Sequence, residues 1–341
     1  MNSQPTWAVP RNRNRNLLIV EGNHEKNELF SILFLCFPEL GINPDDIWIY
    51  GTNLYQLYEE IERNYGVDWD QLDVDLPFII SAREHMPILC YKRNFVNIFL
   101  VFDYERHDPL FHTQKIHKML KYFSDEGDMG KLFINYPMVE SYQHFNKFPD
   151  PSYEDLNISV TLRPGIAYKA LVRGKHVQKS IEFPQILERH LLELYNVSDP
   201  RIYRDRLLAI AKTEDLQEAV WQVLKGSIDK AKFTQVKMHL SDFLNRQGYL
   251  EEGLNYWEYM RRVFIQIIRH NICKANKLQG LCYQIPEDTL KQCFRSLDLE
   301  AVLIRQNNDS CDPTKKYIWV LNTCVFIVPR YNFSLIEEYT K

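Results

Sequence analysis

The sequence predicts an α/β protein in which a parallel sheet flanked by helices is followed by a mainly helical domain. Short apolar runs alternate with longer amphipathic stretches over the first 149 residues, a pattern typical of βαβ units. One run, NIFLVF at residues 97–102, is almost continuously apolar, as expected of a strand covered on both faces. Beyond residue 149 the apolar residues recur mainly at helical spacing.

The first two βα units follow in order from residue 17. Residues 17–20 form the first predicted strand, and residues 25–37 form a helix for which Asn23 offers an N-cap. Residues 47–50 form the second strand. The helix predicted over residues 53–65 has apolar or aromatic side chains three or four apart and ends at Gly66.

Two further strands complete the predicted sheet. The strand at 97–102 is followed by a helix near residues 112–124, a turn at 125–130 and a fourth strand at 132–136. Residues 67–93 have no assigned place in this order, and an insertion is one interpretation of them.

The chain divides into three predicted regions. Residues 1–16 form a basic N-terminal arm, residues 17–149 the α/β domain, and residues 150–341 a mostly helical domain for substrate binding or assembly. Helices are predicted over residues 184–196 and over most of 200–277. Residues 317–328, rich in Val, Ile and Trp, are predicted to be β-like.

Composition narrows the classes of function. The formal net charge is −4, so any nucleic-acid site must be a local basic patch. No apolar run reaches the roughly 18 residues that a membrane span needs, and no signal-peptide core follows the N-terminal arginines. Seven scattered cysteines form no CxxC pair, which favours reduced thiols. We therefore expect a cytoplasmic protein that does not bind membranes.

Acidic residues follow three of the four predicted strands. Glu21 and Glu25 come after the first strand, Asp103 and Glu105 after the third, and Glu140 after the fourth. Ligands gather at the carboxyl ends of strands in open α/β sheets. Asp103 and Glu105 are two residues apart, so in an extended segment their side chains point to the same side. Converging carboxylates favour Mg²⁺ or Mn²⁺, whereas solvated or helix-capping acids are the alternative.

Three segments carry a resemblance to a known family. LLIVEGNHE at 17–25 resembles the first motif of Toprim domains, in the form found in OLD-type nucleases and related bacterial phage-defence proteins. FLVFDYE at 99–105 resembles the second motif, with Glu105 in place of an Asp. YPMVESYQHF at 136–145 is similar to a later acidic motif of such proteins. The resemblance covers residues 15–145.

The resemblance implies a Toprim-like parallel sheet and a metal-dependent nuclease acting on DNA or RNA, tRNA included. It assigns catalytic roles to Glu21, Asp103 and Glu105, each also a metal ligand, and supporting metal-ligand roles to Glu25 and Glu140. It also implies an effector of antiviral defence. OLD-type nucleases usually carry an ATPase, and this chain has no P-loop motif, so a separate ATPase or sensor subunit is the implied partner.

A basic segment offers a surface for the nucleic-acid substrate. Residues 158–181 include five Lys or Arg and no acid, and such residues neutralise phosphates. Lys169, Arg173 and Lys175 are the predicted contacts. The alternative is a solvated basic face.

Two other functions stay open. A Toprim-like domain that has lost its metal would serve as a scaffold or sensor subunit in a complex, and the replacement at Glu105 keeps this alternative open. A phosphohydrolase acting on small molecules would also use a carboxylate site. For the protein as a whole we expect an oligomer or a multi-protein complex.

Overall fold

The computed structural model describes residues 15–162, 165–211, 215–228, 233–245 and 253–337. A mainly parallel five-stranded sheet forms the centre of the α/β part. Its strands are β1 Asn16–Val20, β2 Ile47–Ile49, β3 Asn97–Asp103, β4 Ser124–Asp125 and β5 Gly130–Asn135. They lie in the order β2-β1-β3-β5-β4, where β4 is antiparallel to β5 and the other pairings are parallel. The predicted α/β class is confirmed.

The helices that accompany this sheet agree with the predicted alternation. They are α1 Ser31–Cys36, α2 Leu54–Tyr65, α3 Leu76–Arg83 and α4 Thr113–Tyr122. Helix α2 begins as predicted, because the side chain of Asn53 accepts the N–H of Gln56 at 3.0 Å. It ends at Gly66, whose φ of 103° favours glycine. Helix α3 occupies part of the segment that the sequence left unassigned.

The helix after β1 differs from the prediction in its start. Residues Glu25–Phe30 are π-helical and run directly into α1. The predicted N-cap, Asn23, is wrong, since the N-cap residue is His24 and no side chain caps the helix. The turn is closed instead by the Glu25 carboxylate, which accepts the N–H of Gly22 at 2.9 Å.

Strand β3 lies at the centre of the sheet, between β1 and β5. Each of its residues from Ile98 to Asp103 is buried, as its apolar sequence predicts. Gly130 begins β5 against this strand with a φ of 114°. A Cβ at Gly130 would lie 2.5 Å from Leu100 Cδ1, so the close approach of the two strands requires glycine.

The second half of the chain is mainly helical where it is described. Its helices are α5 Ile166–Val172, α6 His176–Glu193, α7 Pro200–Leu208, α8 Leu216–Leu224, α9 Phe233–Asn245, α10 Tyr256–Leu278, α11 Leu290–Arg295, α12 Leu299–Cys311 and α13 Ile327–Tyr331. The helices predicted in this half are confirmed. Helix α6 begins earlier than predicted, so that Pro184 lies inside it rather than at its first turn.

The predicted β-like tail is mostly wrong. Strand β7 covers only Tyr317–Trp319 and pairs antiparallel with β6, Asn157–Ser159. The chain then forms a 3₁₀ turn at Cys324–Phe326 and helix α13. The apolar residues of this tail are buried, and burial on all sides selects apolar residues in a helix as well as in a strand.

The C-terminal segment packs against the sheet. Leu321 forms an isolated β-bridge with Tyr136, the residue after β5. Thr323 Oγ1 donates a hydrogen bond of 2.8 Å to the carbonyl of Ile134. The hydroxyl of Tyr104, the residue after β3, donates to Asn307 Oδ1 on α12 at 2.6 Å. Residues from both sides of the predicted boundary near 150 therefore share contacts at one end of the sheet.

Two further predictions concern the N-terminus and membranes. Residues 1–14 of the predicted basic arm lie outside the described residues. Arg15 forms an ion pair with the buried Asp46. In the described ranges, no helix combines the length and the apolarity needed to cross a membrane.

Candidate active site

The carboxyl ends of β1 and β3 form the crevice where a ligand is expected. The chain passes from β1 to β2 on one side, while β3 and β5 lie on the other side of β1. Such a reversal of strand order opens a crevice outside the strand ends. Glu21 directly follows β1, and Asp103 is the last residue of β3.

Glu21 and Asp103 lie side by side across this crevice. The N–H of Asp103 donates to Glu21 Oε2 at 3.2 Å. The side chain of Asp103 is buried, with 6% of the residue exposed, and its Oδ1 atom has no hydrogen-bond partner. Among the described residues, no Lys, Arg or His forms an ion pair with either carboxylate. A buried carboxylate oxygen without a partner is costly and invites a cation.

Electrostatics agrees with this geometry. Burial, together with the nearby Glu105 carboxylate, raises the pKa of Glu21 from 4.5 to about 8. Burial, then the carboxylates of Glu21, Glu25 and Glu140, raise the pKa of Asp103 well above its ordinary value. Like charges that share a buried site disfavour ionisation in this way. A bound cation would favour the ionised forms instead.

Glu25 lies at the start of the π-helical turn, behind Glu21. Glu25 is 5% exposed, and its Oε2 atom accepts a hydrogen bond from the N–H of Gly22. Burial raises the pKa of Glu25, although the Gly22 N–H opposes the increase. The side chain therefore both closes the turn after β1 and adds to the negative charge around Asp103.

Glu105 follows β3 with a backbone conformation that differs from an extended strand. The extended geometry that the sequence argument assumed is wrong at Glu105, which has a φ of 35°. Its Oε2 accepts a hydrogen bond of 2.9 Å from Asn53 Nδ2, which also donates to Asp108 Oδ2 at 2.6 Å. Burial raises the pKa of Glu105, and Asp108 adds to the increase. The N-cap of α2 thus positions this carboxylate.

Glu140 differs from the other acids because cations surround it. His24 Nε2 lies 2.6 Å and Lys169 Nζ 2.9 Å from its Oε1 atom. Burial opposes ionisation of Glu140, but these two cations hold its pKa below the ordinary value. The contacts with Glu140 and Glu28 raise the pKa of His24 to about 9. Glu140 is therefore ionised at neutral pH, and its charge is balanced.

The three predicted nucleic-acid contacts divide into two groups. Lys169, on α5, reaches the Glu140 carboxylate and so lies at the site. Arg173 follows α5 and is exposed, and Lys175 Nζ donates to Asn146 Oδ1 at 2.7 Å. Arg163 of the same basic segment lies outside the described residues. Lys169 therefore lies at the acidic site, whereas Arg173 lies on the surface.

Three side chains at this edge were missed by the sequence analysis. Asn135 ends β5 in register with Asp103, and its Nδ2 atom is buried without a partner. Asn53 follows β2. Both could have been found by inspecting every polar residue at a strand end, rather than only the acids. Cys324 is fully buried, and its N–H donates to Asn135 Oδ1 at 3.3 Å; no sequence signal indicated its place.

The five carboxylates at this edge of the sheet are suitable ligands for a hard cation, although they do not converge on one point. Glu21, Glu25, Asp103, Glu105 and Glu140 form what we term the carboxylate cluster, and carboxylate oxygens are the ligands that Mg²⁺ and Mn²⁺ prefer. The partnerless Asp103 Oδ1 is the donor most open to such an ion. In the part of the chain that is described, no three His, Cys, Asp or Glu side chains are close enough to enclose a metal.

Comparisons with protein-family models, with curated proteins and with solved structures give no match for this chain. The resemblance to Toprim domains therefore rests on the three sequence segments alone and stays a prediction. The assignment of function depends on the chemistry of the site.

Proposed function

We propose that the protein is a Toprim-like, Mg²⁺- or Mn²⁺-dependent nuclease that hydrolyses phosphodiester bonds in DNA or RNA. One observation carries the proposal. In the crevice at the carboxyl ends of β1 and β3, the Glu21 carboxylate accepts the backbone N–H of Asp103, and Asp103 Oδ1 is buried without a hydrogen-bond partner. No Lys, Arg or His of the described residues forms an ion pair with either side chain. Uncompensated charge of this kind is costly and is retained at functional sites.

A divalent cation bound there would neutralise phosphate charge and lower the pKa of a water molecule. Glu21 and Asp103 would hold it, and Glu105 would support it. Asn53 would fix the direction of the Glu105 carboxylate through the 2.9 Å hydrogen bond. The chain itself would supply orientation and charge, which is how most phosphoryl-transfer sites work.

The substrate class follows from the basic segment that adjoins the site. Arg173 and Lys175 would bind the phosphate backbone beyond the cleavage point, and Lys169 would lie nearest to the carboxylates. Phosphate contacts fix register without reading sequence, so these residues do not distinguish DNA from RNA. A role in antiphage defence, with a separate ATPase or sensor subunit, is proposed from the Toprim resemblance alone.

The test is cleavage of labelled DNA, tRNA and other RNA with Mg²⁺ or Mn²⁺, comparing the wild-type chain with Asp103→Asn. The substitution is expected to abolish cleavage, because it removes the charge that would face the metal. Asp46→Asn is the matched control: Asp46 is equally buried but precedes β2, at the opposite end of the sheet. It is expected to cleave normally while it stays folded. Unchanged cleavage by Asp103→Asn would refute the proposed site.

A non-catalytic scaffold or sensor is the second candidate, favoured by the lack of an assembled three-ligand group among the described residues. Calorimetry separates the two functions. Binding of Mn²⁺ by the wild-type chain that disappears in an Asp103→Ala/Glu105→Ala variant supports the nuclease. No binding, with or without nucleic acid, by a well-folded chain supports the scaffold.

A further inference from the structure

Glu140 is contacted by basic side chains from two separate parts of the chain. It lies in the 3₁₀ turn Val139–Gln143, with only 2% of the residue exposed. His24, from the turn after β1, and Lys169, from α5, both contact its Oε1 atom. The other ring nitrogen of His24 lies 2.9 Å from Glu28 Oε1, so the imidazole bridges two carboxylates.

The rest of the carboxylate cluster has no such compensation. Glu21 accepts a backbone N–H, Glu25 accepts another, and Glu105 accepts the amide of Asn53. Asp103 Oδ1 has no partner. Across the described residues, the ion pairs of the cluster are confined to Glu140. Within the carboxylate cluster, the charge of Glu140 is therefore compensated by basic side chains, whereas the charges of the other four carboxylates are not.

We infer that the carboxylate cluster takes one divalent cation, held by Glu21 and Asp103, and that His24 and Lys169 occupy the cation position at Glu140 in place of a second metal. The inference rests on the proposed function. On this inference, the main role of Lys169 is to neutralise and orient the Glu140 carboxylate, and binding of a substrate phosphate is secondary.

The second oxygen of Glu140 does not change this conclusion. Oε2 is buried and has no hydrogen-bond partner, so a metal could in principle reach it. A divalent ion there would compete with the His24 ring and the Lys169 ammonium, which already lie 2.6 and 2.9 Å from the same carboxylate, and the ammonium would repel it. At Asp103 the same ion would meet carboxylates alone. Electrostatics therefore directs the single ion to the Glu21 and Asp103 side.

The test counts bound ions. Mn²⁺ alone is titrated into the full-length chain, and its stoichiometry is measured by calorimetry and by the electron paramagnetic resonance signal of free Mn²⁺. Two matched variants are compared: Asp103→Asn and Glu140→Gln each replace a buried carboxylate by its amide. We expect one ion in the wild-type chain. We expect affinity to fall more than about 100-fold in Asp103→Asn. In Glu140→Gln we expect a loss of about 10-fold, at the low end of the range of about 10- to 100-fold that is typical of residues outside the ligand shell.

The outcomes distinguish this inference from the proposed function. Two ions in the wild-type chain, or equal losses in the two variants, would overturn the inference and leave the nuclease proposal standing. No bound ion in the wild-type chain, with or without an uncleavable oligonucleotide, would overturn both. The wild-type count needs no variant, so the test holds even if Glu140→Gln fails to fold.

Discussion

Replacing Glu21 by Gln is expected to remove much of the pH dependence of stability in the metal-free protein. The pKa of Glu21 rises from 4.5 to about 8 on folding, because folding removes most of the side chain from water and brings it near the Glu105 carboxylate. The folded chain therefore binds the proton more tightly than the unfolded chain. The stability from this residue is complete below pH 4.5 and is lost as pH rises through 8.

The size of the effect follows from those two values. Each unit of difference in pKa corresponds to about 1.4 kcal/mol, so the interval from 4.5 to about 8 gives an upper bound of about 5 kcal/mol. Glu21 is partly exposed, and solvent screening reduces the bound to about 2–3 kcal/mol. Glu21→Gln, which cannot ionise, should gain this amount over the wild-type chain at high pH and little near pH 4.5.

Urea unfolding, followed by circular dichroism in EDTA at several pH values between 4.5 and 9, measures this difference. Glu59→Gln, which removes a carboxylate on α2 from its ion pair with Lys115 on α4, serves as the control and should follow the wild-type slope. Added Mg²⁺ should stabilise the wild-type chain more at pH 8 than at pH 5, because metal binding favours ionised ligands. A Glu21→Gln variant that loses stability with rising pH as steeply as the wild-type chain would refute this reasoning.

Three further predictions concern other parts of the molecule. Burial lowers the pKa of His144 from 6.5 to about 4, so this residue alone should cost the wild-type chain about 3 kcal/mol as pH falls from 6.5 to 4. Urea unfolding of His144→Gln should lack that component, and an unchanged slope over this range would contradict the prediction. Arg173→Glu/Lys175→Glu should weaken nucleic-acid binding at least about tenfold and lower the salt slope by about two, as measured by fluorescence anisotropy, with Mn²⁺ affinity unchanged; an unaltered slope would exclude these contacts. Tyr104→Phe leaves Asn307 Oδ1 without its 2.6 Å hydrogen bond and should cost about 1–2 kcal/mol of unfolding free energy; thermal unfolding with no loss would show that water replaces the hydroxyl.

Much of the α/β architecture could be predicted from the sequence, because its elements have strong local signals. The apolar strand β3 and the amphipathic helix α2, which ends at Gly66, are specified by residues within each element. The π-helical turn at Glu25 could not be predicted, since it depends on a side chain that accepts a backbone N–H three residues earlier. The tail after β7 was mistaken for a strand because complete burial removes the periodicity that separates helix from strand.

The candidate site also combines features that the sequence predicts with features that only the fold determines. Glu21 and Asp103 could be placed together from strand ends and topology alone. The difference between them and Glu140 could not, because it depends on His24 and Lys169, which are 116 and 29 residues away along the chain and meet it only in the fold. Net charge, composition and spacing describe a segment of the sequence. Whether a buried carboxylate is neutralised depends on which basic side chains the fold brings next to it.

The contacts at the sheet edge imply that the site depends on both halves of the chain. Lys169, which balances Glu140, and Cys324, which contacts Asn135 beside Asp103, both come from beyond residue 150. Without Lys169 the buried Glu140 carboxylate would keep only His24, and removing a partner from a buried charge is strongly destabilising. The second half therefore does more than present a basic surface. It supplies the Lys169 ammonium that pairs with Glu140, which is the contact on which the proposal of a single metal ion depends.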